Sequence, residues 1–341
     1  MDAINQIGMY STTPHRRLVL TLLYVPVVAF GFGMETIVTP LAAASQPSSS
    51  SSSTTTTTKT ALILLNTPID GSPLFYHLWD TADVRICADG GANRLYRLKN
   101  STTSTAATRS TTLLIPDIIV GDLDSLHDTT RAYYANEQQQ HGVEILHDPD
   151  QDTNDLDKAI RVAQQRLSSS FGVTTTTTTI VIYGSMGGRL DQSMACLHAL
   201  LKYSNNDDNS TTRRYFWYSD TSMACVIPPS SSTAAAPHRL VLRLPPSPSS
   251  SSSEDHETVV VTEGPTCGLL PLGEPVESVT TTGLQWNLHE QPTRFGDGLV
   301  STSNRILSKN SEGLWLTIRT SHPLVFTAEI QCGMKTEWTE E

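Results

Sequence analysis

The sequence predicts an α/β fold: an amino-terminal, Rossmann-like three-layer domain with a mostly parallel sheet, followed by a carboxy-terminal all-β sandwich domain. Three observations predict it. Between residues 61 and 218 short apolar runs alternate with stretches of helical periodicity, the pattern of strands joined by crossover helices. After residue 228 period-two alternation takes over and no convincing helix remains. Aspartate-rich and glycine-rich segments also follow the apolar runs directly, where the carboxyl ends of neighbouring strands would converge on one crevice.

The amino terminus comes first. Leu18 to Met34 is uncharged and mostly apolar and follows Arg16-Arg17, the pattern of a signal sequence or membrane anchor. It is short against the roughly 20 residues a span needs, and it contains Pro26, Gly31 and Gly33. The other reading is that Met34 is the true start. Residues 1–57 are thus an extension, disordered or lying partly before the true start; 58–228 form the α/β domain and 238–333 the β-sandwich domain. Strands are expected at 61–66, 84–88, 117–120, 143–146, 180–183 and 215–218. Two helices stand out between them. Leu156, Ile160, Ala163 and Leu167 recur at helical spacing with Asn154 placed to cap the start, and Leu190, Met194, Leu197 and Leu201 make the buried stripe of the second. In the β-rich part Leu240, Leu242 and Leu244 share one strand face, as do Leu314, Leu316 and Ile318; further strands are expected at 257–262, 276–282, 298–302 and 324–330.

Composition narrows the function. A net charge of −11 over 341 residues leaves no lysine and arginine surface for neutralising a nucleic-acid backbone. Serine and threonine runs at 48–58, 101–112, 168–179, 230–233 and 247–253 have too little apolar content to order themselves and read as loops. Five scattered cysteines, Cys87, Cys196, Cys225, Cys267 and Cys332, lack Cys-x-x-Cys spacing and indicate a reduced compartment.

Four groups of residues carry chemistry. The first comprises Ala88-Asp89-Gly90-Gly91-Ala92-Asn93 and Gly121-Asp122-Leu123-Asp124-Ser125. Asp122 and Asp124, two apart in extended chain, point the same way and suit a hard cation, though a solvated turn has the same composition. Asp148, Asp150 and Asp152 alternate like a calcium loop, but Thr153 and Ala159 occupy the positions that need glycine and glutamate. Asp152 and Asp155 also suit a helix start, and Lys158 can pair with Asp155 or reach a phosphate. Gly184-Ser185-Met186-Gly187-Gly188-Arg189 closes a strand and opens a helix, so its amides can cradle phosphate beside Arg189 and Asp191. It is neither a dinucleotide fingerprint nor a Walker loop. Finally, residues 280–288 and 300–304 place Trp286 near small polar groups, which would suit a flat heteroaromatic ligand or, equally, an ordinary core and turns.

Together and in this order, these segments resemble eukaryotic thiamine pyrophosphokinase. The match is carried by Leu65-Asn66, Cys87-Ala88-Asp89-Gly90-Gly91-Ala92-Asn93-Arg94-Leu95-Tyr96, Gly121-Asp122-Leu123-Asp124-Ser125, Pro149-Asp150-Gln151-Asp152, Gly187-Gly188-Arg189-Leu190-Asp191-Gln192, Cys267-Gly268-Leu269, Thr280-Thr281-Thr282-Gly283-Leu284-Gln285-Trp286-Asn287-Leu288 and Val300-Ser301-Thr302-Ser303-Asn304. The resemblance implies transfer of the diphosphoryl group of ATP to thiamine with release of AMP, Mg²⁺ dependence, and a homodimer with active sites at the subunit interface. It assigns metal and phosphate to Asp89, Asp122, Asp124 and Asp152, catalysis to Asp122, Asp124, Asp152 and Arg189, and the nucleotide to Asp89, Gly90, Gly91, Asn93, Gln151, Gly187 and Gly188. Thiamine falls to Asp191, Gln192, Trp286, Ser301 and Asn304, with Asp124 or Asp152 as acceptor of the thiamine hydroxyl proton. It also favours a cytoplasmic protein that begins at Met34, not one held in a membrane.

Overall fold

The computed structural model describes residues 34–44, 58–101, 114–168, 177–205, 212–230, 236–243, 259–310 and 313–334. β1 (Thr36–Val38) and α1 (Pro40–Ala44) come first. Strand and helix then alternate through β2 (Thr58–Leu64), α2 (Pro73–Thr81), β3 (Val84–Ala88), α3 (Gly91–Asn100), β4 (Ile118–Gly121), α4 (Asp128–His141), β5 (Glu144–His147), α5 (Asp155–Ser168), β6 (Thr177–Tyr183), α6 (Leu190–Ser204) and β7 (Arg213–Tyr218).

β7, β6, β2, β3, β4 and β5 lie side by side in that order, all parallel. Their side chains alternate between two cores. Leu62 and Leu64 join Phe75, Trp79, Leu95 and Tyr134 of α2, α3 and α4, while Ala61 and Ile63 join α5 and α6 through Ile160, Ala163, Cys196 and Leu200. Helices thus cover both faces. Numbered from β2, the parallel strands run 4-3-2-1-5-6, not the dinucleotide-binding order 3-2-1-4-5-6, because β5 is added before the chain crosses back. The crossing leaves a topological switch point between β2 and β6.

The remaining strands are β8 (Ser222–Ile227), β9 (His238–Leu242), β10 (Val259–Leu270), β11 (Val276–Thr282), β12 (Gln291–Thr293), β13 (Ser301–Arg305), β14 (Lys309–Asn310), β15 (Gly313–Thr320) and β16 (Leu324–Met334). β8, β16, β10 and β13 extend the parallel sheet beyond β7 as antiparallel neighbours, giving ten strands in one ladder. A second sheet, ordered β1-β9-β15-β11-β12 with β14 on β15, shares a core with that extension through Leu240, Leu316, Ile318, Leu269 and Phe326. The β-rich part therefore has two layers, and one of them continues the parallel sheet.

Several expectations change. Thr36–Val38, inside the expected extension, pairs with β9 in parallel. Thr177–Thr179, inside a threonine run read as loop, begins β6, where β-branched side chains suit an extended backbone. On α6 the buried residues are Cys196, Ala199 and Leu200; Leu190 is 74% and Met194 48% exposed, so the predicted stripe is open at its amino-terminal end. Small side chains let that other face approach β7. Apart from Thr58, Ser101, Ser168 and Ser230, the rest of the serine and threonine runs lies outside the described residues, as does the apolar stretch from Leu18 to Met34 except its last residue. Among the described residues no helix is long and apolar enough to cross a membrane. All five cysteines are free.

A buried carboxylate ties the amino-terminal segment into the fold. Glu263 of β10 is 0% exposed; it accepts hydrogen bonds from Thr39 Oγ1, Tyr218 Oη and, at 3.0 Å, the Arg243 amide. Burial pushes its carboxyl above the usual range. Thr39→Val leaves one of these acceptor bonds unmade and should destabilise the protein by about 1–3 kcal/mol. Urea unfolding checks this, and an unchanged midpoint would show that Thr39 carries none of the load.

Candidate functional site

Three carboxylates meet at the carboxyl ends of β3 and β4 and the start of α5. Asp89 follows β3 with a left-handed backbone (φ 38°), held by its amide on Val120 O at 2.8 Å. It is 2% exposed; Oδ2 accepts from the Ser125 amide at 3.1 Å and Oδ1 has no partner. Asp122 follows β4, its Oδ1 accepting from the Asp124 amide at 3.2 Å and its Oδ2 from Gln151 Nε2 at 3.0 Å. Asp155 opens α5, with the buried Lys158 ammonium 3.7 Å from its Oδ1. One oxygen from each of Asp89, Asp122 and Asp155 lies within 4.8 Å of the others. Gly121 makes the approach possible: a Cβ there would stand 2.7 Å from Asp89 Cβ and 2.9 Å from Asp155 Oδ1.

The electrostatics suit a cation. Burial raises the Asp89 carboxyl, against the Ser125 hydrogen bonds, and the charges of Asp124 and Asp122 add to the rise. Burial, then Asp89 and Asp122, raise Asp155. Asp122 is lowered, first by the Gln151 hydrogen bond. Three carboxylates held this close repel one another, and a hard divalent ion bound by oxygen would relieve that repulsion while leaving positions for water and phosphate.

Beside the triad lies a cleft of about 570 Å³ at the switch point, lined by the ends of β2, β3 and β6 and the starts of α5 and α6. Asp89, Gly90, Gly187, Gly188, Arg189 and Gln192 line it, as do Asp155, Arg94 and Ser185. Gly187 and Gly188 both have positive φ, 104° and 71°, which turns the chain into α6. Arg189 and Asp191 are exposed and paired, Nε to Oδ1 at 3.0 Å, which lowers the Asp191 carboxyl. Gly91 is packed, not open: a Cβ there would fall 2.4 Å from Leu64 O. Asn93, 4% exposed, donates to Ser125 O at 2.7 Å and accepts from the His127 amide at 3.1 Å, tying the β3 turn to the Asp122 loop.

Asp124 and Asp152 stand outside the triad. Asp124 accepts from Ser125 Oγ at 3.0 Å, and Asp152 is exposed with its amide on Asp150 Oδ1 at 2.9 Å. Asp155, which the sequence placed at a helix start, is the third carboxylate of the triad. Its signal was available, a carboxylate at a helix start one turn before a lysine, but helix electrostatics explained it equally well.

The aromatic group is assembled separately. Trp286 is 59% exposed, and Asn304 of β13 clamps its backbone, accepting from Trp286 N at 3.2 Å and donating to Trp286 O at 2.8 Å. Asn304, 3% exposed, holds the tryptophan in place, and Ser301 lies 3.5 Å from its Nδ2. β13 is an edge strand seven positions from β3. At about 4.8 Å per strand the two groups are roughly 30 Å apart along the sheet.

Comparison with known proteins gives a consistent result. Residues 75–211 match the family described as thiamin pyrophosphokinase, catalytic domain, and 253–325 match thiamin pyrophosphokinase, vitamin B1 binding domain. Thiamine pyrophosphokinase 1 of Arabidopsis thaliana is 32% identical over 276 residues, 80% of this chain and 86% of its own length. Thiamine pyrophosphokinase 1 of Oryza sativa subsp. japonica is 30% identical over 266 residues, 75% of this chain and 85% of its own. Among solved structures, thiamin pyrophosphokinase from Candida albicans aligns with a TM-score of 0.62 at 23% identity, covering 87% of this chain and 93% of that one.

Proposed function

The chain belongs to the thiamine pyrophosphokinase family, and we propose that its carboxylate triad and the adjoining cleft are where the diphosphoryl group of ATP passes to the hydroxyl of thiamine, giving thiamine diphosphate and AMP. The observation that carries this reading is the convergence of Asp89, Asp122 and Asp155 beside a cleft at the sheet's switch point. The triad would hold Mg²⁺, which supplies charge neutralisation to the phosphoryl oxygens when bound. ATP lies in the cleft between the triad and the Gly184–Arg189 loop, whose amides and the start of α6 favour anionic oxygens. Arg189 exchanges Asp191 for phosphate and steadies the charge that grows as the thiamine oxygen attacks the β-phosphorus. Asp124 or Asp152, exposed and outside the triad, accepts the hydroxyl proton.

The thiamine ring stacks on Trp286. Because Trp286 stands so far along the sheet from Asp89, the ring-binding group of one chain completes the phosphate site of a second copy, so the working unit is a homodimer. Exposed Leu190, Met194 and Phe295 are apolar surface that such a pairing would cover. The free cysteines support a reducing, cytoplasmic setting.

Purified protein incubated with ATP, Mg²⁺ and thiamine should yield equal amounts of thiamine diphosphate and AMP, resolved by chromatography, and EDTA should stop the reaction. ADP as the sole nucleotide product would overturn the diphosphoryl transfer, and full activity in EDTA the metal assignment.

A further inference from the structure

Buried polar atoms without a partner are rare, and a bound ligand is one way their hydrogen bonds are completed. Three such atoms, Thr67 Oγ1, Asp89 Oδ1 and Ser185 Oγ, belong to residues that line the 570 Å³ cleft. The acidic triad accounts for Asp89. The other two are hydroxyls, and they flank the switch point, Thr67 just beyond β2 and Ser185 just beyond the neighbouring parallel strand β6.

The backbone fixes both positions. Leu65 N donates to Tyr183 O at 3.1 Å, Thr67 N to Leu65 O at 2.8 Å, and Gly184 N to Tyr218 O at 2.9 Å. Gly184, at φ 86°, lets the two segments touch: a Cβ there would lie 1.9 Å from Thr67 Oγ1. Ser185 is 2% exposed. No side chain caps the start of α6, whose first-turn residues Gln192 and Ser193 line the same cleft. A phosphoryl oxygen is a pure acceptor and fits two hydroxyl donors beside uncapped amides. β6 is two strand spacings, about 10 Å, from β3, a span a triphosphate covers with side chains reaching it from either end.

We propose that Thr67 and Ser185 form a hydroxyl pair that donates to phosphoryl oxygens of the nucleotide, on the side of the cleft away from the carboxylates. The proposal rests on the reading of this cleft as the nucleotide site. Neutral donors here bind phosphate without competing with the acidic triad for its cation.

Ser185→Ala and Thr67→Val test it in the full chain, by steady-state kinetics with ATP and thiamine and by inhibition with inorganic tripolyphosphate, which has phosphates and no nucleoside. Each variant should raise the KM for ATP and the inhibition constant for tripolyphosphate about tenfold, with the KM for thiamine and the thermal unfolding midpoint unchanged. Unchanged ATP kinetics would overturn the proposal, and so would a raised ATP KM with unaltered tripolyphosphate inhibition, which would turn the hydroxyls toward the nucleoside. If Thr67→Val disturbs packing over Gly184, the unfolding midpoint falls and Ser185→Ala alone decides. A wild-type protein that neither turns over ATP nor binds tripolyphosphate would remove the nucleotide reading itself. Normal wild-type behaviour with unaffected variants removes only the hydroxyl pair.

Discussion

Asp155→Asn should lower turnover about a thousandfold and raise the Mg²⁺ concentration needed for half-maximal rate, while Asp152→Asn should leave that Mg²⁺ dependence unchanged. The amide is the same size as the carboxylate but brings no charge to the triad, so the cation would lose one of three anionic oxygens and with it much of the field acting on the phosphates. Asp152 lies outside that group. Turnover measured at saturating ATP across a range of Mg²⁺ concentrations separates the two variants, with circular dichroism confirming that each folds. Near-normal rates for Asp155→Asn together with a shifted Mg²⁺ dependence for Asp152→Asn would return the metal site to the residues favoured by sequence resemblance.

Mixing two inactive variants should restore activity. Asp89→Asn removes the phosphate half of a site and Trp286→Ala the ring half. If those halves come from different chains, a mixed dimer has one site carrying both lesions and one carrying neither. Random exchange of subunits makes half the dimers mixed, so the recovered rate should approach about a quarter of wild type. Refolding the variants together and separately, then assaying thiamine diphosphate, gives the comparison. No recovery despite demonstrated exchange would mean that each chain builds its whole site alone.

The sequence was most legible where one periodicity governed a segment. β3 (Val84–Ala88) and β11 (Val276–Thr282) fall at the expected residues, and Leu156, Ile160, Ala163 and Leu167 are buried along α5. α6 shows where periodicity misleads. An apolar stripe marks a face that avoids water in some assembly, but does not say whether this chain's own sheet covers it, and Leu190 and Met194 stay exposed. β1 was hidden because a three-residue strand has too short a pattern to read. Asp89 and Asp122 were legible as neighbours because each ends a strand with a glycine beside it. Asp155 was not, because its partnership with them depends on how α5 returns over β3 and β4, a contact distant in sequence. Asn304 was identified as a ligand group, yet both ends of its side chain are engaged with the Trp286 backbone.

The hydrogen-bonded ladder that runs from β5 to β13 also has a mechanical meaning. Many two-domain transferases enclose their substrates by swinging one domain against the other about a linker. Here the catalytic segment passes into the vitamin-binding segment through paired strands β7, β8 and β16, whose ladder bonds would have to break for such a swing. The described strands thus form one continuous ladder that resists hinge closure between the two segments. In the homodimer proposed above, exclusion of water during transfer would fall to short loops at the strand ends, such as Gly184–Arg189, and to movement of one chain's sheet against the other's.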